Sequence, residues 1–307
     1  MNRKSRWAAG PYILWMIIFV IVPLVLIGVF AFTTDAPFDE NSKRLTQEEL
    51  AAIEEEYAET DEELPVTYKT VFTWDNILSV SQYLPVLFNS AWLALIATAI
   101  CLIIGYPLAY FMSRFRASSQ RLVQMLIMLP MWMNFLLRTY AWMTLLEKNG
   151  WINRIFGLIG VGPFEMINTQ GAVVLGMVYN YLPFMILPLY SVMTKIENHT
   201  IEAAQDLGAG SIRVFTKVVI PLSMPGIASG ITMVFVPAVS TFIISRMLGG
   251  GTNMLIGDLI DLQFLGNAYN PNLGAAISLV LMVFILLCMS ITNQLDNGDE
   301  EMEGKML

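Results

Sequence analysis

The sequence predicts an all-α integral membrane protein with six transmembrane helices and with the N-terminus and the C-terminus both cytoplasmic. Three observations lead there. Of 307 residues, 56% are hydrophobic and only 14% charged, where a soluble domain carries about 25% charged residues. Six apolar stretches are each long enough to cross a bilayer, which takes about 20 helical residues for ~30 Å of hydrocarbon. Lysine and arginine concentrate on alternate connections, the pattern that marks cytoplasmic segments.

The elements follow in chain order. Residues 1–9 form a cytoplasmic N-terminus with Arg3, Lys4 and Arg6. The first span is 10–32. Its apolar run exceeds the roughly 7–15 residues of a signal-peptide core, so it reads as an uncleaved span. The extracellular loop 33–85 is strongly acidic, with 13 acids against three bases, so the net charge of −8 hides a slightly basic remainder. Inside this loop Thr46 and Glu49 fit a capping box, with Leu45 and Leu50 at the staple positions. Leu50, Ile53 and Tyr57 recur at helical spacing, so a short amphipathic surface helix is expected near 46–59. It suits docking of an outer partner or concentration of a cationic solute; the plainer reading is a solvated charged face.

The later spans are 86–112, 122–146, 171–194, 222–245 and 273–293, followed by a cytoplasmic tail, 294–307. Prolines 23, 107, 130, 183, 188, 225 and 237 lie in or at the edge of spans. Each removes a helix donor and bends the rod, which membrane helices tolerate when neighbours supply partners. With the N-terminus inside, segments 1–9, 113–121, 195–221 and 294–307 hold 10 basic residues in 59. The outer loops 33–85, 147–169 and 246–272 hold six in 103.

Composition and motifs exclude several function classes. Cys101 and Cys288 sit in apolar runs and read as small core residues. His199 is the single histidine, which leaves no histidine-based metal site or triad, and no cofactor is expected. A polyanion-binding role is improbable without a basic face, so nucleic acid is not an expected partner. There is no phosphate-gripping G-x-x-x-x-G-K-[ST] and no H-E-x-x-H. An intramembrane aspartyl protease needs aspartates in two spans, whereas Asp258 and Asp261 share one loop. An intramembrane enzyme is thus only a remote alternative.

That loop, 246–272, opens on Gly249, Gly250 and Gly251, which permit a tight turn. Leu255, Ile256, Leu259, Ile260 and Phe264 then make an apolar helical stripe too short to span, so an interfacial or re-entrant helix is expected. Asp258 and Asp261 lie three apart, on one helix face. They can meet a cation at the outer mouth, or simply face solvent.

The inner loop 195–221 carries the sharpest signal. Glu202-Ala203-Ala204 is followed after three residues by Gly208, and after nine more by Val218-Val219-Ile220-Pro221. Thr200 fits a helix N-cap, with Glu202 in the first turn. Ala203 and Ala204 are small enough for close approach of another protein. Gly208 can adopt the left-handed conformation that ends the helix. Ser211 can cap a second helix that stops before Pro221.

This spacing resembles the EAA loop of importer-type ABC permeases, with Val218 and Ile220 as conservative departures. The resemblance implies a type I ABC importer permease fold whose loop, through Glu202, Ala203, Ala204, Gly208 and Pro221, couples to an ATPase subunit. Leu129-Pro130-Met131-Trp132, Leu137-Arg138-Thr139-Tyr140, Leu182-Pro183-Phe184-Met185, Pro188-Leu189-Tyr190-Ser191, Met247-Leu248-Gly249-Gly250 and Asn253-Met254-Leu255-Ile256-Gly257 are similar to the spermidine/putrescine permeases of the PotB type. The likeness covers roughly 85–293, so 86–293 is taken as the permease core. The acidic insert 38–66 departs from the family. The resemblance implies a second, PotC-like permease, PotA-like ATP-binding subunits, an external PotD-like polyamine-binding protein, and ATP hydrolysis by the partner. A permease for ferric iron or a phosphonate is the alternative.

Polyamines are flexible polycations that suit aromatic faces and carboxylates. Candidates along the pathway are Trp132, Asn134, Tyr140 and Trp142 in the third span, Tyr179, Tyr181 and Phe184 in the fourth, and Asp258 and Asp261. Core packing or an interfacial belt is the plainer role for each aromatic. Arg138 is the charge deepest inside a span. It reads as a structural group that bridges carbonyls or as a gate that repels the substrate.

Overall fold

A computed structural model describes residues 10–38, 44–57, 66–251, 253–266 and 268–303. The expected N-terminal segment 1–9, parts of the acidic insert and the end of the tail lie outside the described residues. The elements run α1 (Gly10–Met16), a π-helical turn (Ile17–Ile21), α2 (Val22–Ala31), β1 (Thr33–Phe38), α3 (Gln47–Tyr57), β2 (Thr67–Phe72) and α4 (Asp75–Ser79). A 3₁₀ turn (Val80–Tyr83) leads to α5 (Leu84–Ser113), α6 (Ala117–Met128), a second 3₁₀ turn (Leu129–Trp132), α7 (Phe135–Leu146), α8 (Trp151–Leu158) and α9 (Gln170–Met193). Then come α10 (Asn198–Asp206), α11 (Ser211–Val214), a π-helical turn (Phe215–Val219), α12 (Ile220–Leu222), α13 (Met224–Val239), α14 (Ile243–Gly249), α15 (Ile256–Leu265) and α16 (Pro271–Glu303).

Among the described residues, four helices are long and apolar enough to cross a membrane: Pro11–Ala31, Asp75–Ser113, Gln170–Met193 and Pro271–Thr292. Two bent pairs bring the number to six if each is one span. Both differ from the continuous rods expected over 122–146 and 222–245. In the first pair the axis turns by 89° between Ala117–Trp132 and Phe135–Leu158. Pro130 enters a 3₁₀ turn, Met133 is extended, and Asn134 starts a new helix by accepting hydrogen bonds from the Leu136 and Leu137 amides at 2.9 and 3.3 Å. In the second the axis turns by 64° at Ser223, between Ser211–Leu222 and Met224–Val239. Prolines on both sides, Pro221 and Pro225, withhold two helix donors there.

The chain divides into two compact units. One comprises residues 1–84 and 260–282. Its β1 and β2 form an antiparallel ribbon, Thr33 opposite Phe72 and Phe38 opposite Thr67. α3 starts with a reciprocal cap: the Thr46 amide donates to Glu49 Oε2 at 2.9 Å, and the Glu49 amide donates to Thr46 Oγ1 at 3.3 Å. Leu45 beside it is buried. Asn76 of α4 donates to the Thr33 carbonyl of the ribbon at 2.8 Å and to the Ala31 carbonyl at the end of α2 at 3.4 Å.

The other unit comprises residues 85–259 and 283–307. Its core is α9 packed against α13 and α14, with Val173, Met177, Met185, Ile186, Leu189 and Met193 buried beside Val234, Ile244 and Leu248. Small residues set the closeness. A Cβ at Gly230 would fall 2.7 Å from Met185 Sδ, and one at Gly176 would press on Leu248 and Ile244. Pro183 and Pro188 lie inside α9, and Pro237 inside α13. The Tyr181 hydroxyl donates to the Pro237 carbonyl at 3.3 Å. Cys101 is buried in α5.

Candidate functional site

The loop 195–221 is built as two short helices around one glycine. α10 starts after Glu197, whose side chain makes no cap hydrogen bond, rather than at the expected Thr200. It ends at Gly208, φ +83. The Gly208 amide donates to the Gln205 carbonyl at 2.8 Å and the Ala209 amide to the Ala204 carbonyl at 3.1 Å, the paired bonds of a Schellman end. The N-cap of α11 is Gly210, not the expected Ser211. Glu202 is exposed on α10 with its carboxylate 3.4 Å from His199 Nδ1. Ala203 is exposed and Ala204 half-buried.

On either side of Gly208 two large apolar side chains stand in the open, Leu207 at 89% and Ile212 at 82% exposure. Beside them lies a shallow concavity of about 750 Å³ whose lining includes Gly208, Ser211, Ile212, Arg213 and Lys217. Small residues, two apolar knobs and a basic rim form a surface shaped for another protein rather than a small ligand.

The pathway candidates do not fall into one cluster. Trp132 is 78% exposed and Tyr140 is exposed. Asn134 is committed to capping α7. Trp142 and Tyr179 do meet, with ring centroids 5.3 Å apart and planes at 65°. Tyr181 and Phe184 approach at 6.5 Å, with Tyr181 buried. Arg138 is 8% exposed and lies over the Phe135 ring at 5.8 Å. Its buried Nε and Nη1 have no hydrogen-bond partner, so it does not bridge carbonyls through those two atoms.

Asp258 and Asp261 differ in setting. Asp258 is 4% exposed and Asp261 half-buried. The Leu255 amide donates to Asp258 Oδ2 at 2.9 Å, and Asp258 Oδ1 lies 4.0 Å from Arg246 Nε. The Ile256 amide donates to Ser90 Oγ on α5 at 2.8 Å. The start of α15 is thus held by side chains from α5 and α14.

Three features escaped the sequence reading. Asn180, next to Tyr179, is buried in α9 with its Oδ1 unpartnered. Arg246 faces Asp258, although the arginine stands 12 residues away in sequence behind three glycines. Tyr106 of α5 hydrogen-bonds Ser223 at the bend of the second broken pair, 2.8 Å between oxygens. A tyrosine inside an apolar stretch is the only sequence signal for the last.

Residues 101–298 match the family of binding-protein-dependent transport system inner membrane components. The chain belongs to this family. Like its other members, it is a multi-pass permease component of the membrane and not an enzyme. Its relatives include the spermidine/putrescine transport system permease protein PotB of Haemophilus influenzae, 36% identical over 98% of both chains. The PotB of Escherichia coli K12 is 39% identical over 73% of this chain and 82% of its own. Among solved structures, a chain of a bacterial ABC transporter that imports the acidic polysaccharide alginate superposes with a TM-score of 0.70, 96% coverage of each chain and 16% identity. A chain of the MetNI methionine ABC transporter gives a TM-score of 0.53 over 70% of this chain and 94% of its own. The fold is that of ABC importer permeases.

Proposed function

We propose that this chain is the permease subunit of an ATP-driven importer for polyamines, spermidine and putrescine, and that its loop 195–221 seats on an ATP-binding subunit in the cytoplasm. The observation that carries the coupling role is the loop itself. Leu207 and Ile212 stand fully open on either side of a left-handed Gly208, a cost in exposed apolar surface that a partner's groove would remove. Likeness to PotB over nearly the whole chain supports the substrate class.

The complex would hold a PotC-like second permease, PotA-like ATPases and an external PotD-like binding protein. Both termini would lie in the cytoplasm, with α3 outside. Glu202, Ala203, Ala204, Gly208 and Pro221 shape the docking loop. Trp142, Tyr179, Tyr181 and Phe184 offer the aromatic faces a polyammonium chain would pass, with Trp132 and Tyr140 exposed toward the second subunit or lipid. Arg138 is a gate whose charge repels the substrate.

Competition uptake tests this. Reconstituted with its partners, the transporter is expected to take up labelled spermidine with saturation, and excess putrescine should suppress the uptake. Uptake indifferent to both polyamines, but competed by ferric iron or a phosphonate, would reject the substrate.

A further inference from the structure

One face of α5 grips the coupling loop at both of its ends. Tyr106, Tyr110 and Arg114, the residue just past the helix, recur every four positions and so align on one face. At the start of the loop, the Arg114 guanidinium donates to the Ile196 carbonyl at 3.4 Å and to the Asn198 side chain, the first residue of α10. The same guanidinium lies over the Tyr110 ring at 5.4 Å. At the far end, Phe215 sets its ring edge-on to both Tyr106 and Tyr110, at 5.5 and 5.6 Å. Ser223, fully buried at the 64° bend, joins its Oγ to the Tyr106 hydroxyl at 2.8 Å.

The direction of that last bond follows from proton counting. The Ser223 hydroxyl donates to the Ile220 carbonyl at 3.0 Å. A serine hydroxyl has one proton, so Tyr106 donates to Ser223. The relay runs Tyr106 to Ser223 to the Ile220 carbonyl, and it ties α5 to the last turn before the bend. The Ser223 amide is already shared between the Val219 and Ile220 carbonyls.

A bent helix flanked by two prolines is a weak lever, because push at one arm is absorbed at the bend. We infer that Tyr106, with Ser223, is a positioning pair for coupling: it makes α5 move with the loop, so that displacement of α10 by the ATPase reaches a second span and not only α13. This rests on the coupling role proposed above for the loop.

The test uses the whole reconstituted transporter with Tyr106→Phe, which keeps the ring against Phe215 and removes only the donor, and with Ser223→Ala. Each is expected to assemble with the ATPase and hydrolyse ATP at the normal rate, while polyamine moved per ATP falls about fivefold, the size of one lost neutral hydrogen bond. The double variant should be no worse than either single one, since both remove the same bond. Normal uptake per ATP in Tyr106→Phe, additive losses, or failure of both variants to assemble would overturn the inference. Glu202→Lys run alongside separates the two readings. If it too transports normally, the coupling role of the loop falls; if it is uncoupled while Tyr106→Phe is normal, only the positioning pair falls.

Discussion

Asn168 and Gly250 pack against each other from two separate loops, each in the left-handed region, at φ +63 and +61. The Asn168 amide donates to the Leu248 carbonyl at 2.8 Å, and Asn253 Nδ2 donates to the Asn168 carbonyl at 3.1 Å. A Cβ on Gly250 would fall inside van der Waals contact of the Asn168 side chain. The contact joins the entry of α9 to the end of α14, two of the helices that carry the core.

This contact predicts a difference between adjacent glycines. Gly251 is also left-handed, φ +76, but a Cβ there meets open space. Gly251→Ala therefore carries only the backbone penalty, about 1–2 kcal/mol. Gly250→Ala adds the overlap with Asn168. Thermal unfolding in detergent should show the Gly250 variant as clearly the less stable. Equal melting temperatures would mean that the Asn168–Gly250 contact opens without cost.

Asp258 is expected to act on structure, not as an exposed substrate trap. It is buried, accepts the Leu255 amide and faces Arg246 at 4.0 Å. Asp258→Ala leaves that amide without its side-chain acceptor and removes the carboxylate 4.0 Å from Arg246. Hydrogen bonds to a charged group contribute about 1.5–3 kcal/mol, so a lower melting temperature is expected. Spermidine uptake per folded transporter should stay near normal and respond to salt as the parent does. A salt-sensitive uptake defect at unchanged stability would restore the vestibule role.

The sequence made the apolar rods legible because burial in lipid demands about 20 apolar residues in a row, a signal read without knowing any neighbour. The loop 195–221 was legible only in part: Gly208 ends α10 as expected, but α10 starts at Asn198, so Glu202 lies past its first turn, and the second helix runs through Pro221 to Leu222 instead of stopping before it. The two broken spans were not legible. Pro130 and Pro225 announce kinks of unstated size, and the 89° turn depends on Met133 becoming extended and Asn134 capping a new helix. The pairs Arg246–Asp258, Asn168–Gly250 and Tyr106–Ser223 lay beyond reach for another reason. They join residues 12, 82 and 117 positions apart in sequence, and no periodicity encodes such a meeting.

Arg138 is expected to serve transport at no benefit to stability. Its guanidinium is buried with Nε and Nη1 unpartnered, and desolvating such a charge costs several kcal/mol. Arg138→Met, similar in length and uncharged, should melt at the parent temperature or higher. Uptake should change: if the charge opposes entry, its removal should favour spermidine, which carries more positive charges, over monovalent amines. A marked fall in melting temperature would assign the arginine a structural role instead.

The orientation is open to labelling. With Cys101 and Cys288 replaced, cysteines at Glu55 on α3 and Asp206 on α10, both exposed, should react with an impermeant maleimide from opposite sides. Glu55→Cys should label in intact cells and Asp206→Cys only after the inside is opened. Labelling of both from one side would reject the six-span arrangement.

Gly208 offers the most graded test of the docking loop. Its φ of +83 is unfavourable for residues with a side chain, yet a Cβ there meets nothing within 4 Å. Substitutions at this site should therefore fail through the backbone alone, not through a clash. Asparagine visits the left-handed region far more readily than alanine, and β-branched valine least of all. If the Schellman end sets the angle between Leu207 and Ile212, coupling should decline in the order Gly208→Asn, Gly208→Ala, Gly208→Val. The asparagine variant should keep most of the uptake. The valine variant, which has to unwind the end of α10 to relieve about 2 kcal/mol, should lose most of it. Because the glycine points into open space, the permease itself should reach the membrane in normal amount in all three. The readout is polyamine uptake beside ATP hydrolysis for each variant. Three equal losses would point to the bulk of a side chain at the interface, and three normal transporters would show that the left-handed end is not what the ATPase reads.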